Sequence, residues 1–147
     1  MKTLWGIAFG LLISSSAYAA LFSQLQGTYQ VLGCENLGAT PYNSVCQFAQ
    51  LTIRAEVFFT AITFTGDPSQ DHNTLTLTLP ASLEDQPAAR YREKSDTFAI
   101  YSNEGRHGGQ VVMLRRLKNG LYHLSVHLRS DVTKTLDVIE VDLEKLY

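Results

Sequence analysis

An excess of charge of one sign is missing from this sequence: twelve lysines and arginines stand against fourteen aspartates and glutamates, a formal net charge of −2. Nucleic acid and anionic membranes select strongly basic surfaces, so this balance excludes a partner of either kind. Cysteine is scarce as well. Two cysteines in 147 residues exclude a dense disulfide scaffold, and no C-x-x-C pair signals a redox or zinc site. The apolar run Leu4–Ile13 has ten residues, half of the roughly 20 that a membrane-crossing helix needs. No G-x-S-x-G elbow, H-E-x-x-H pair, P-loop, Rossmann turn or paired-carboxylate signature is present. No internal repeat or low-complexity linker interrupts the chain. Neither a catalytic residue, nor a metal ligand, nor a cofactor is expected.

What is present begins with an export pattern. Lys2 supplies a positive start, Leu4–Ile13 an apolar stretch, Ser14-Ser15-Ser16 a polar break, and Ala17-Tyr18-Ala19 an A-x-A cleavage site. Residues 1–19 are therefore expected to be a cleavable signal peptide, not an anchor, and no cysteine stands where a lipid would be attached. Removing 19 of 147 residues leaves 128, the length of one ordinary domain, 20–147. The expected location is periplasmic or secreted, with no transmembrane segment after cleavage. In an oxidising compartment Cys34 and Cys46, twelve positions apart across a segment rich in turn formers, are expected to form a disulfide.

The mature part alternates apolar and polar residues with period two, broken by turn residues every eight to fifteen positions. Strands are expected at 28–34, 50–56, 57–65, 74–79, 90–94, 97–102, 110–118, 121–129 and 134–143. The apolar phase changes near Glu56-Val57-Phe58, which calls for a bulge or turn. Thr74-Leu75-Thr76-Leu77-Thr78-Leu79 is the cleanest alternation, leucines on one face and threonines on the other. Residues 80–87 look irregular, with room for one helical turn capped by Ser82. Nine short strands without a long helix predict an all-β domain: a small antiparallel up-and-down barrel, with a β-sandwich as the alternative. Closure favours the barrel, because it removes exposed edges.

Lys118-Asn119-Gly120 joins two strand patterns and allows either a two-residue type I′ turn or a three-residue loop with a bulged glycine. The registers differ by one residue, so Tyr122, Leu124, Val126 and Leu128 face either Leu117, Arg115, Met113 and Val111, or Arg116, Leu114 and Val112. Arg115 and Arg116 point to opposite faces. One of them is expected on the inner side, where a guanidinium could receive a carboxylate or phosphate, or reach water past its packed stem. Phe58 or Phe59, Phe64, Phe98 and Tyr122 are the expected inward aromatics. His123 and His127 share a strand face but lie about 13 Å apart, too far to share one ion. With Ser125 and Arg129 they read as a solvated face, as do Asp137, Glu140, Asp142 and Glu144. Residues 103–109, with His107, read as a flexible glycine-rich connector.

The stretch Leu21–Val31, with Gly27-Thr28-Tyr29 in place of a Gly-x-Trp triplet, resembles the opening of lipocalin-like (calycin) barrels. That resemblance implies a short helical turn, a first strand whose aromatic plugs one end, and an interior cavity. The resulting expectation is an exported non-enzymatic binding protein holding a small apolar or amphipathic ligand near Arg115, Arg116, Tyr122 and Phe64, or a protein partner at its loops. An exported inhibitor of a protease or lysozyme is the alternative, and an uncharacterised hydrolase the third.

Overall fold

The computed structural model describes residues 22–38, 46–56, 59–66, 74–80 and 88–147. They include a 3-10 turn, Ser23–Leu25, and nine strands: β1 (Gly27–Asn36), β2 (Gln50–Ala55), β3 (Phe59–Thr65), β4 (Thr74–Pro80), β5 (Arg90–Lys94), β6 (Phe98–Gly105), β7 (Gly108–Arg116), β8 (Tyr122–Ser130) and β9 (Thr135–Lys145). Each expected strand is present, with ends shifted by up to three residues. The signal-peptide segment and the turn expected at Ser82 lie outside the described residues.

All nine strands belong to one antiparallel sheet in the order β4-β3-β2-β1-β9-β8-β7-β6-β5. Pairing of β1 with β9 brings the first and last strands side by side, as an up-and-down barrel requires. The expected barrel is nevertheless a half-barrel, a curled sheet whose edges are β4 and β5. A ring that is antiparallel throughout needs an even number of strands, so nine could close only by a parallel pairing of β4 with β5, and no such pairing is present among the described residues. Neighbours alternate in direction along the whole order, so the two edge strands run the same way.

Period-two alternation puts one face of every strand into a single core. Tyr29, Leu51, Ile53, Ile62, Phe64, Leu79, Tyr101, Leu114, Leu124, Val126, Val141 and Leu143 are buried there. The phase change after Ala55 is a tight hairpin, closed where Glu56 N donates to Phe59 O at 2.8 Å. Between β7 and β8 the three-residue loop forms: Gly120 N donates to Leu117 O at 3.0 Å, and Gly120 has φ +85°, which suits the residue without a Cβ. This register sets Arg116 opposite Tyr122, Leu114 opposite Leu124 and Val112 opposite Val126. The expected flexible connector at 103–109 is instead mostly strand. Gly105 pairs with Gly108 around a two-residue turn, and a Cβ at Gly108 would lie 2.1 Å from the Arg129 carbonyl oxygen.

One end of the half-barrel is plugged by the segment that leads into β1. Phe22 and Leu25 are fully buried, and the Tyr29 hydroxyl donates to Leu25 O at 2.5 Å. Phe22 N donates to the Tyr91 hydroxyl at 2.8 Å, and Gln24 N to Glu93 Oε1 at 2.7 Å. The 3-10 turn therefore ties β1 to β5 across the end. The opposite end carries the Cys34–Cys46 disulfide, with Cα atoms 5.2 Å apart.

Candidate functional site

Where β7 turns into β8, beside the plug, a cleft of about 440 Å³ opens between the turn and the last residues of the chain. Arg116 and Tyr122, cross-strand partners, line it together with Leu121, Lys145, Leu146 and Tyr147. The final residues are held by β1: Thr28 N donates to Tyr147 O at 3.0 Å, and Leu146 N to Thr28 O at 2.8 Å. Arg116 shares the inner face with Tyr122, but it lies past the end of the core and reaches Asp96 at 2.8 Å in a half-exposed ion pair. The Lys145 ammonium sits 5.7 Å from the centre of the Tyr29 ring.

Of the four residues expected to bind a ligand, Arg116 and Tyr122 meet in this cleft. Arg115 projects from the opposite face and is exposed. Phe64 is buried in the core, its ring 6.0 Å from that of Phe48. No arginine is interior among the described residues, because both positions fall at the strand end where the side chain reaches solvent. The expected inward aromatics divide similarly. Phe64 and Tyr122 are buried, Phe59 and Phe98 alternate with buried neighbours and so face outward, and Phe58 lies outside the described residues. Lys145, the second cation of the cleft, was not singled out in the sequence. The β8–β9 register brings it there, since Tyr122 stands opposite Leu143 and Lys145 follows two residues on along the same inner face, and the pairing with β1 holds it beside Tyr29.

Comparison with protein-family models, with curated proteins and with solved structures finds no match.

A second polar assembly crosses the outer face of β8 and β9, which the sequence presented as solvated. Strand pairing puts His123 beside Asp142 and Ser125 beside Glu140. His123 Nδ1 lies 2.7 Å from Asp142 Oδ1, and its Nε2 lies 2.7 Å from Glu140 Oε2. The Ser125 hydroxyl donates to Glu140 Oε1 at 2.7 Å and lies 3.1 Å from His127 Nε2. Ser125 is buried and His123 mostly so, a correction to the expected wet face. Asp137, likewise expected at the surface, is buried on the inner side. The hairpin spacing around Ser130 and Thr135 was the available signal, since folding it at that turn sets these residues opposite one another.

Although serine, histidine and carboxylate meet here, the order is not that of a catalytic relay. Glu140 touches the serine directly, where a relay would place it on the far nitrogen of the histidine. Nor do the described carboxylates and histidines converge on a point that could hold a metal ion. The assembly is a cross-strand staple. Burial pushes the Glu140 carboxyl up, but hydrogen bonds from Ser125 and His123 and the charges of His123 and His127 outweigh it and hold the carboxyl below its ordinary value. A carboxyl lowered in the folded state stabilises the fold above its unfolded value, near 4.5, and loses that contribution as the pH falls through the folded value. Glu140→Gln is expected to cost about 1 kcal/mol at pH 7, a partly exposed network being discounted for solvent. The difference from the parent should shrink steadily in urea melts at pH 5, 4 and 3.

Proposed function

We propose that this is an exported binding protein, lipocalin-like in design, that takes a small amphipathic anion in the cleft between the β7–β8 turn and the end of β9. One observation carries the reading: two cations, Arg116 and Lys145, against one carboxylate, Glu144, line a mainly polar cleft to which Leu121, Tyr122 and Leu146 add apolar surface. A volume of about 440 Å³ suits a small organic molecule. The exposed Arg116–Asp96 pair is worth little in water, so an incoming carboxylate or phosphate can compete for the guanidinium. The plug formed by the 3-10 turn and Tyr29 supports the lipocalin-like reading, and it turns the ligand outward from the filled inner face near this end. Export is supported by the pattern in residues 1–19 and by a disulfide that fits an oxidising compartment.

Isothermal titration with sodium decanoate, and with decanol as the uncharged counterpart, tests the reading. Decanoate is expected to bind, decanol to bind about tenfold more weakly, and Arg116→Ala with Lys145→Ala to abolish that preference. Equal binding of both probes, or binding of neither, would overturn it.

A further inference from the structure

We propose that the outer face of β5–β7, with the hollow beside Gly109, docks an acidic segment of a partner protein that presents one aromatic side chain. Strand register sets Glu104, Gly109, Arg129 and Leu136 on one rung across β6–β9. Glycine leaves its place on that rung without a side chain, and a hollow of about 170 Å³ opens there, walled by Val111, His127, Arg129 and Leu136. The backbone keeps it open: a Cβ at Gly109 would stand 2.9 Å from Asn103 O. Glycine inside a strand often marks a place where another group approaches closely. An apolar cavity of about 150 Å³ accepts a benzene ring, whereas small-molecule sites begin at about 300 Å³. The hollow therefore suits a single side chain, and the anchors that proteins bury in a partner's pockets are mainly aromatic. Leu136 adds to this, because 55% of it is exposed and leaves apolar surface for a partner to cover.

Charge names the rest of the partner. Arg90, Arg92 and Lys94 project outward from β5, and Arg115 from β7, all of them exposed. Lys94 and Arg115 stand on either side of Phe98, while Arg90 shares a rung with Ser102 and Val111. Arg90 is thus two strands, about 10 Å, from a wall of the hollow. None of the four cations makes an ion pair among the described residues. The carboxylates of β5 and β6 and of the turn between them are engaged elsewhere. Glu93 holds the plug, Asp96 pairs with Arg116, and Glu104 lies 3.8 Å from Arg129. Edge strands are commonly guarded by charge, which would account for β5 but not for Arg115 on an interior strand. In a chain of net charge −2, four unpaired cations on one face select carboxylates, placed on the β5 side of the aromatic anchor. A second copy of this chain fits less well. Its large exposed aromatics among the described residues are Phe59 and Tyr147; Phe59 lies between Phe58 and Thr60, and Tyr147 follows Lys145 and Leu146.

The test uses the purified disulfide-bonded protein and a fluorescein-labelled peptide of one tryptophan between two runs of glutamate, read by anisotropy. The peptide is expected to bind. Replacing its tryptophan by serine, or its glutamates by lysine, should each weaken binding about tenfold. The exposed substitutions Arg90→Glu and Arg92→Glu together should reverse the preference between the glutamate and lysine peptides. Val111→Phe, which fills the hollow, should erase the advantage of tryptophan over serine. Leu136→Ser, at the exposed wall, should reduce that advantage about threefold and tests the hollow without adding bulk to the sheet. Excess sodium decanoate, or Arg116→Ala with Lys145→Ala, should leave peptide binding unchanged, which separates this site from the end cleft. Absence of binding, binding indifferent to the tryptophan or to the β5 reversal, or loss of binding on the end-cleft substitutions would overturn the proposal. So would a dimer in light scattering that the peptide dissociates, since it would show a second copy seated on this face.

Discussion

Tyr29→Ala is expected to lower the free energy of unfolding by about 3–5 kcal/mol, the usual cost of deleting a buried aromatic side chain. Tyr29 is fully buried, and its ring stands edge-on to that of Tyr122, with centroids 5.3 Å apart. Its hydroxyl holds Leu25 O and thereby the 3-10 turn that closes the end of the half-barrel. Deletion therefore opens a cavity under the plug and leaves that carbonyl without this donor. Tyr29→Phe separates the two contributions: packing stays, and the loss should be about 1 kcal/mol. Burial, with Tyr122 nearby, pushes the Tyr29 hydroxyl well above its ordinary value of 10.0, so it remains a donor throughout the neutral range. A hydroxyl raised in the folded state stabilises fully below the unfolded value and progressively less above it. The parent should thus lose stability faster than Tyr29→Phe as the pH rises past about 10. Far-UV circular dichroism in urea reads both effects, and it suits a chain whose single tryptophan, Trp5, lies in the leader-like segment.

The strands were legible because alternation is a local signal. Leu75, Leu77 and Leu79 against Thr74, Thr76 and Thr78 need no partner to declare their two faces. The open edges were not legible in the same way. Nine strand patterns were countable, but which two strands are left at the edges appears only once β1 is known to pair with β9. The same distinction explains the candidate site. Arg116 and Tyr122 flank a recognisable turn, and a local argument reached them. Lys145 joins them only once the register of β9 on β8 is fixed, with Leu143 opposite Tyr122, and its place beside Tyr29 needs the longer-range pairing with β1. The outer staple was misjudged for a related reason. His123, Ser125 and His127 look like a wet face when their strand is read alone. Beside Glu140 and Asp142 both ring nitrogens of His123 and the Ser125 hydroxyl find partners, and the face can be partly buried with these groups satisfied.

Opening the Cys34–Cys46 bond is expected to cost about 3 kcal/mol, by the entropy regained when a loop of this length is released in the unfolded chain. The twelve-position separation sets that figure, and the position of Cys34 in the sheet makes the loss felt in the fold. Cys34 pairs with Val141 of β9 and lies partly buried against the core. Its strand is irregular just before it, where the register shifts between Val31 and Gly33 and Leu32 is left half-exposed. The disulfide therefore fastens β1 at its weakest stretch to the segment that leads into β2. Cys34→Ser with Cys46→Ser should show the loss as a lower urea midpoint with little change in slope, and the parent in excess dithiothreitol should approach the same midpoint. An equal midpoint in oxidised and reduced protein would mean that the native ladder alone confines this loop. Domain stabilities are commonly about 5–15 kcal/mol, so a loss of this size removes a large share of the total. The fold is accordingly suited to an oxidising compartment, and the protein kept in reducing thiols should be cleaved by a protease faster than the disulfide-bonded form.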